Sequence, residues 1–118
     1  MPLDDEELRS AVRSHLTRQE LESGVAYAAA EAIPSGAVLN FPNVELKVPW
    51  NAVLIFVDRQ PLANWGHSSR YLLVRRSGEE TLSVEARLPP FASEAPLRWK
   101  VVHQAPTVPD TALAVPKA

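Results

Sequence analysis

Ala52-Val53-Leu54-Ile55-Phe56-Val57 decides the fold, because six apolar residues in a row leave neither face of an extended strand for water. A half-exposed strand would alternate, so this one reads as a central strand covered on both sides. Tyr71-Leu72-Leu73-Val74 repeats the pattern. Thr81 to Leu88 then alternates, with Leu82, Val84, Ala86 and Leu88 pointing one way. The polar segment 75–80 between them includes Gly78, so Tyr71 to Leu88 forms the clearest hairpin. Pro89-Pro90 ends it, since neither residue can donate to a ladder. Leu97-Arg98-Trp99-Lys100-Val101 adds a last alternating strand.

Upstream, Val44-Glu45-Leu46-Lys47-Val48 alternates between Pro42-Asn43 and Pro49, and Ala37 to Phe41 is a shorter strand before it. The first 36 residues read differently. Asp4 or Asp5 caps a helix whose apolar face is Leu8, Ala11, Val12, His15 and Leu16. Thr17-Arg18-Gln19-Glu20 has the form of a capping box and predicts a second helix start, unless one bent helix spans both. Leu21, Val25, Ala28, Ala29 and Ala32 would be its buried side, and Pro34-Ser35-Gly36 its stop. The fold class expected is therefore α+β: two N-terminal helices (or one bent helix) on an antiparallel meander sheet of four to five strands. A single domain over 1–103 and a Pro-rich extended tail over 104–118 complete the expected layout, the tail carrying Pro106, Pro109 and Pro116.

This layout has a gap. N-terminal helices cover one face of a sheet, yet the central strands are apolar on both. The second face needs the tail, a curled sheet or another chain.

Composition narrows the chemistry. At 118 residues, with 46% hydrophobic and 22% charged residues, the chain has the make-up of one globular domain. A net charge of −2 supplies no basic footprint for nucleic acid. The absence of cysteine removes disulfides, thiolate ligands and cysteine nucleophiles. The acidic start and the lack of a long apolar run predict a cytoplasmic protein with no membrane partner. His15, His67 and His103 lack ligand spacing, and the glycines are too dispersed for a phosphate loop, so no metal or other cofactor is expected.

The segment from Asp58 to Tyr71 is the one stretch with the make-up of a site. It joins two central strands, is longer than a hairpin needs, and gathers polar and aromatic groups around Gly66. Asn64, Trp65, His67, Arg70 and Tyr71 are the candidate binding residues. Trp65 would be a flat anchor, Asn64 and His67 would give directed hydrogen bonds, and Arg70 would attract an acidic group. The bland alternative is a core plug at Trp65 with a loop tied to itself. An Asp58–His67–Ser69 set is weak, because no nucleophile elbow surrounds the serine. The function expected is a non-enzymatic interaction or assembly module that uses an apolar sheet face and this loop, with a protein partner or a second copy as its target. The competing class is a small-molecule-binding domain or small hydrolase, with a pocket between helices and sheet.

Overall fold

The computed structural model describes residues 5–63, 68–76, 80–91 and 97–115. The two strands read as central are central. Strand β4 (Ala52–Asp58) and strand β5 (Ser69–Arg75) pair in antiparallel register, with Phe56 opposite Tyr71. Strand β6 (Thr81–Ala86) pairs with β5 as the expected hairpin.

The largest departure from expectation lies at residues 25–29. They form strand β1 (Val25–Ala29), placed between β4 and strand β7 (Trp99–Gln104), where a second helix was expected. The sheet order is β6-β5-β4-β1-β7, so the sheet is not a simple meander. Among the described residues, helix is confined to α1 (Asp5–Arg13), the short α2 (Arg18–Ser23) and a 3₁₀ turn at Asp110–Ala112. The chain is mostly β, which corrects the α+β class.

The reason is tertiary pairing. Alanine favours helix by well under 1 kcal/mol per residue over ordinary residues, and ladder bonds on both sides of β1 outweigh that preference. Small side chains also suit the centre of a sheet packed on both faces, and every residue of β1 is buried. Gly24 makes the switch possible. A Cβ there would stand 2.8 Å from the Asp58 carbonyl oxygen and 2.9 Å from that of Glu20. Only glycine lets the end of α2 run this close to β4.

The expected capping box is present and starts α2. Thr17 Oγ1 accepts from the Glu20 N–H at 3.1 Å, and the Thr17 N–H donates to Glu20 Oε1 at 2.8 Å. Of the face expected on the first helix, Val12 and Leu16 are buried and His15 is half-buried.

The gap closes within the chain. On one face of the sheet, Val12 and Leu16 pack on Ala26, Ala28, Val53, Ile55, Val57, Leu72 and Val74. On the other, strands β2 (Val38–Phe41) and β3 (Val44–Lys47) form a separate two-stranded hairpin whose turn carries Asn43 at φ 61°. Its Phe41 and Leu46, with Val48, pack over Tyr27, Phe56 and Tyr71. The segment after β7 joins them. Ala105 and Val108 are buried in the same cluster, Leu113 and Val115 pack against it, and the Ala114 N–H donates to the Tyr27 hydroxyl at 3.0 Å. The segment expected to trail away therefore lies on the sheet as far as Val115. Phe91 adds an edge-on contact to Tyr27, with centroids 4.8 Å apart.

Among the described residues, no helix is long and apolar enough to cross a membrane.

Candidate functional site

Register places two charges beneath the helices. Val57, Arg70 and Glu85 are neighbours across β4, β5 and β6, so all three side chains project to the helix face. Glu20, the third position of α2, comes down on them and is 1% exposed.

Its carboxylate accepts four hydrogen bonds: from the Thr17 N–H at 2.8 Å, Arg59 Nε at 2.9 Å, Arg70 Nε at 2.9 Å and Arg70 Nη2 at 2.7 Å. Arg70 also donates to the His15 carbonyl at 2.9 Å and to Ser83 Oγ at 3.1 Å. Arg59 grips Glu85 with both terminal nitrogens, at 2.6 and 3.1 Å, and reaches Ser68 Oγ at 3.0 Å. Two-pronged guanidinium–carboxylate pairing of this kind fixes geometry as well as energy.

Desolvation alone would raise the Glu20 pKa. Hydrogen bonds from Arg70, the Thr17 N–H and Arg59 outweigh it and hold the group below its ordinary value. Glu85 is also lowered, mainly by its hydrogen bond from Arg59. Arg59 is raised, chiefly by that same bond and, against desolvation, by Glu20.

This network clamps both ends of the loop between β4 and β5. Arg59 N–H donates to the Ser68 carbonyl at 3.2 Å, Ser68 N–H to Gln60 Oε1 at 2.9 Å, and Gln60 N–H to Asp58 Oδ1 at 3.0 Å. Beyond the clamp, Ala63 is exposed and Leu62 is 67% exposed.

Asn64, Trp65 and His67 lie outside the described residues. Arg70 and Tyr71 sit inside the protein: Arg70 in the clamp, and Tyr71 in the opposite core with its ring stacked on Phe41 at 4.6 Å. The structure thus separates these two, which adjacency along the chain had grouped. Successive strand residues face opposite ways.

Sequence reasoning missed the Glu20–Arg70 pair, whose members stand 50 positions apart. The signal available was Arg70 at the start of an otherwise apolar strand, since a buried arginine requires a carboxylate somewhere.

The hairpin face is built differently. A cleft of about 430 Å³, bordered by Asn43, Val44, Ser68, Glu85, Ala86 and Arg87, lies where the β2–β3 turn meets the ends of β5 and β6. It is not the pocket expected between helices and sheet. Among the described residues, three buried side-chain polar atoms lack a hydrogen-bond partner: Ser69 Oγ, Tyr71 OH and Gln104 Oε1. A buried polar group left unpaired costs about 1–3 kcal/mol. Desolvation raises the Tyr71 pKa well above its ordinary value, so the phenol keeps its proton. In the weak catalytic set considered from sequence, Ser69 Oγ is thus unpartnered and Asp58 Oδ1 caps the loop backbone at Gln60. Among the described residues, no three His, Asp or Glu side chains are grouped to hold a metal.

Comparison with protein-family models, with curated proteins and with solved structures finds no match for the chain.

Proposed function

We propose that the protein is a non-enzymatic interaction module that recognises a protein partner through the loop of residues 59–68. The carrying observation is the clamp. Four charged side chains from α2, the β4–β5 loop, β5 and β6 converge on the two ends of this loop. Recognition loops gain affinity when their conformation is held before binding, because less ordering entropy is lost on docking. Leu62 supplies an exposed apolar contact at the described part of the loop. Asn64, Trp65 and His67 complete the proposed contact set with an aromatic anchor and directed polar groups. The apolar sheet face drops out of the proposal, since the hairpin and the segment after β7 cover it.

The test compares proteins captured from a cell extract by the wild type, by a Leu62→Asp/Trp65→Ala variant and by an Arg18→Ala control. A partner retained by the wild type and the control, and lost by the loop variant at unchanged Tm, supports the reading. Equal capture by all three would overturn it. A light-scattering dilution series on the same proteins checks whether that partner is a second copy.

A further inference from the structure

The five-stranded sheet ends in two unlike edges, β6 and β7. An edge strand presents backbone N–H and C=O groups to any further strand, and proteins blunt such edges with bulges, lysines and prolines. Strand β7 is blunted. Its register with β1 shifts between Ala26 and Tyr27, which marks a bulge, and Lys100 stands within it. Strand β6 has neither device. It runs in unbroken register with β5, from Thr81 opposite Val74 to Ala86 opposite Ser69. Its sequence, Thr-Leu-Ser-Val-Glu-Ala, holds no lysine, proline or glycine.

One bond sets the direction of its backbone groups. The Arg75 N–H donates to the Glu80 carbonyl at 2.9 Å, so Glu80, Leu82, Val84 and Ala86 turn their backbone groups toward β5. The N–H and C=O groups of Thr81, Ser83 and Glu85 point the other way, to the open edge. Side chains alternate in step. Leu82, Val84 and Ala86 lie on the hairpin face, where Leu82 is 39% exposed, and Ser83 and Glu85 lie on the helix face.

This strand is complementary to itself. Two copies related by a two-fold axis at Val84 pair antiparallel over residues 82–86, with Val84 opposite Val84, Leu82 opposite Ala86 and Ser83 opposite Glu85. Ser83 and Glu85 then exchange their outward backbone bonds, and the apolar side chains form one continuous row. The charges suit this register. Glu85 is the only charged residue of β6 and is already gripped by Arg59, so the pairing sets no bare carboxylates against each other. It meets a hydroxyl instead. Ser83 Oγ accepts from Arg70 Nη1 at 3.1 Å, and its own proton can donate to the carboxylate of the other copy.

We infer that the protein self-associates through β6, two copies joining their sheets edge to edge about Val84. A contact confined to one strand edge is at the small end of protein interfaces, so the dimer is weak and forms at high concentration. It uses the backbone of β6 and not the loop of residues 59–68, and it does not depend on the partner-binding proposal.

The experiment sediments the full chain at concentrations from about 1 mM down to about 1 μM, where a monomer–dimer equilibrium is expected. Leu82→Lys gives this edge the protection that β7 has, and Ser83→Pro removes an outward N–H while leaving the β5 ladder intact. Each should weaken the dimer about tenfold or more, whereas Leu62→Asp/Trp65→Ala should leave it unchanged. Hydrogen exchange at the amides of Ser83 and Glu85 should slow with concentration, and that of Leu82 and Val84 should not. The chain has no native cysteine, so single cysteines report the register. Val84→Cys should oxidise to a disulfide-linked dimer about tenfold faster than Leu82→Cys, because only the residue on the axis faces its own copy. If Ser83→Pro misfolds, Leu82→Lys, at an exposed position, carries the comparison. A monomer at every concentration, association undiminished in both edge variants, or equal cross-linking at the two cysteines would overturn the inference.

Discussion

The two faces of the central sheet treat polarity in opposite ways. On the helix face, charges are buried and every described bond of Glu20 closes on a partner: two guanidinium groups and a backbone N–H. On the hairpin face the cluster is aromatic and aliphatic, yet two hydroxyls are left unpaired. A fully bonded charge network fixes geometry, because any rearrangement strands an ion in an apolar setting. An unpaired hydroxyl fixes nothing and leaves hydrogen-bonding capacity unused. The first arrangement is therefore the more rigid of the two, and the second the more tolerant of substitution.

Breaking the helix face should have the largest effect. Arg70→Ala leaves Glu20 buried with two of its four hydrogen bonds gone and should cost about 3–5 kcal/mol in denaturant unfolding. The double change Glu20→Met/Arg70→Met should recover most of that loss, because no uncompensated charge remains. A double variant as unstable as the single one would mean that packing of Arg70, and not its pairing, is what matters.

On the hairpin face, Phe56→Ala should cost about 3 kcal/mol or more, since its ring lies between Tyr27 and Tyr71 at centroid distances of 6.4 and 5.3 Å. A loss below about 1 kcal/mol would mean that face can collapse around the void.

Acid separates the faces without mutation. Glu20 titrates below its ordinary value of 4.5 in the folded state, so it contributes stability fully above that pH and loses it as pH falls through the folded value. Unfolding curves between pH 6 and roughly pH 3 should show this decline in the wild type and a shallower one in Glu20→Met/Arg70→Met. Parallel curves would remove the clamp from the acid response.

The smallest effect carries the opposite sign. Tyr71→Phe deletes an unpaired hydroxyl and should raise Tm, by up to about 1 kcal/mol of stability. A clear loss would mean that the hydroxyl has a partner in solution, such as an ordered water.

How far these features were legible follows from the range of the interactions behind them. Strands β4, β5 and β6 could be read because a run of apolar residues or a strict alternation needs only local sequence. The capping box at Thr17–Glu20 is equally local and is present as expected. Strand β1 could not be read, because Val25-Ala26-Tyr27-Ala28-Ala29 lacks polar alternation and its alanines favour helix. What makes it a strand is pairing to residues about 30 and 75 positions away. The same distance hid the site. Glu20 was legible as a cap and invisible as the counter-ion of Arg70. The unpaired state of Ser69 and Tyr71 depends on what the hairpin and the segment after β7 bring over them. Asn43 at positive φ marks a turn that Pro42-Asn43 did announce.

Strand order also sets a timetable. Strand β1 is made early, yet one of its two neighbours is β7, with Val25 opposite Gln104. At synthesis rates of about 5–20 residues per second, the interval between them is roughly 4–16 s. Throughout it, Val25 to Ala29 can be zipped along one edge at most, to β4. A nascent chain paused in that window presents an unpaired, alanine-rich strand edge to its neighbours. The hazard for this protein is therefore kinetic: its first strand waits for its last.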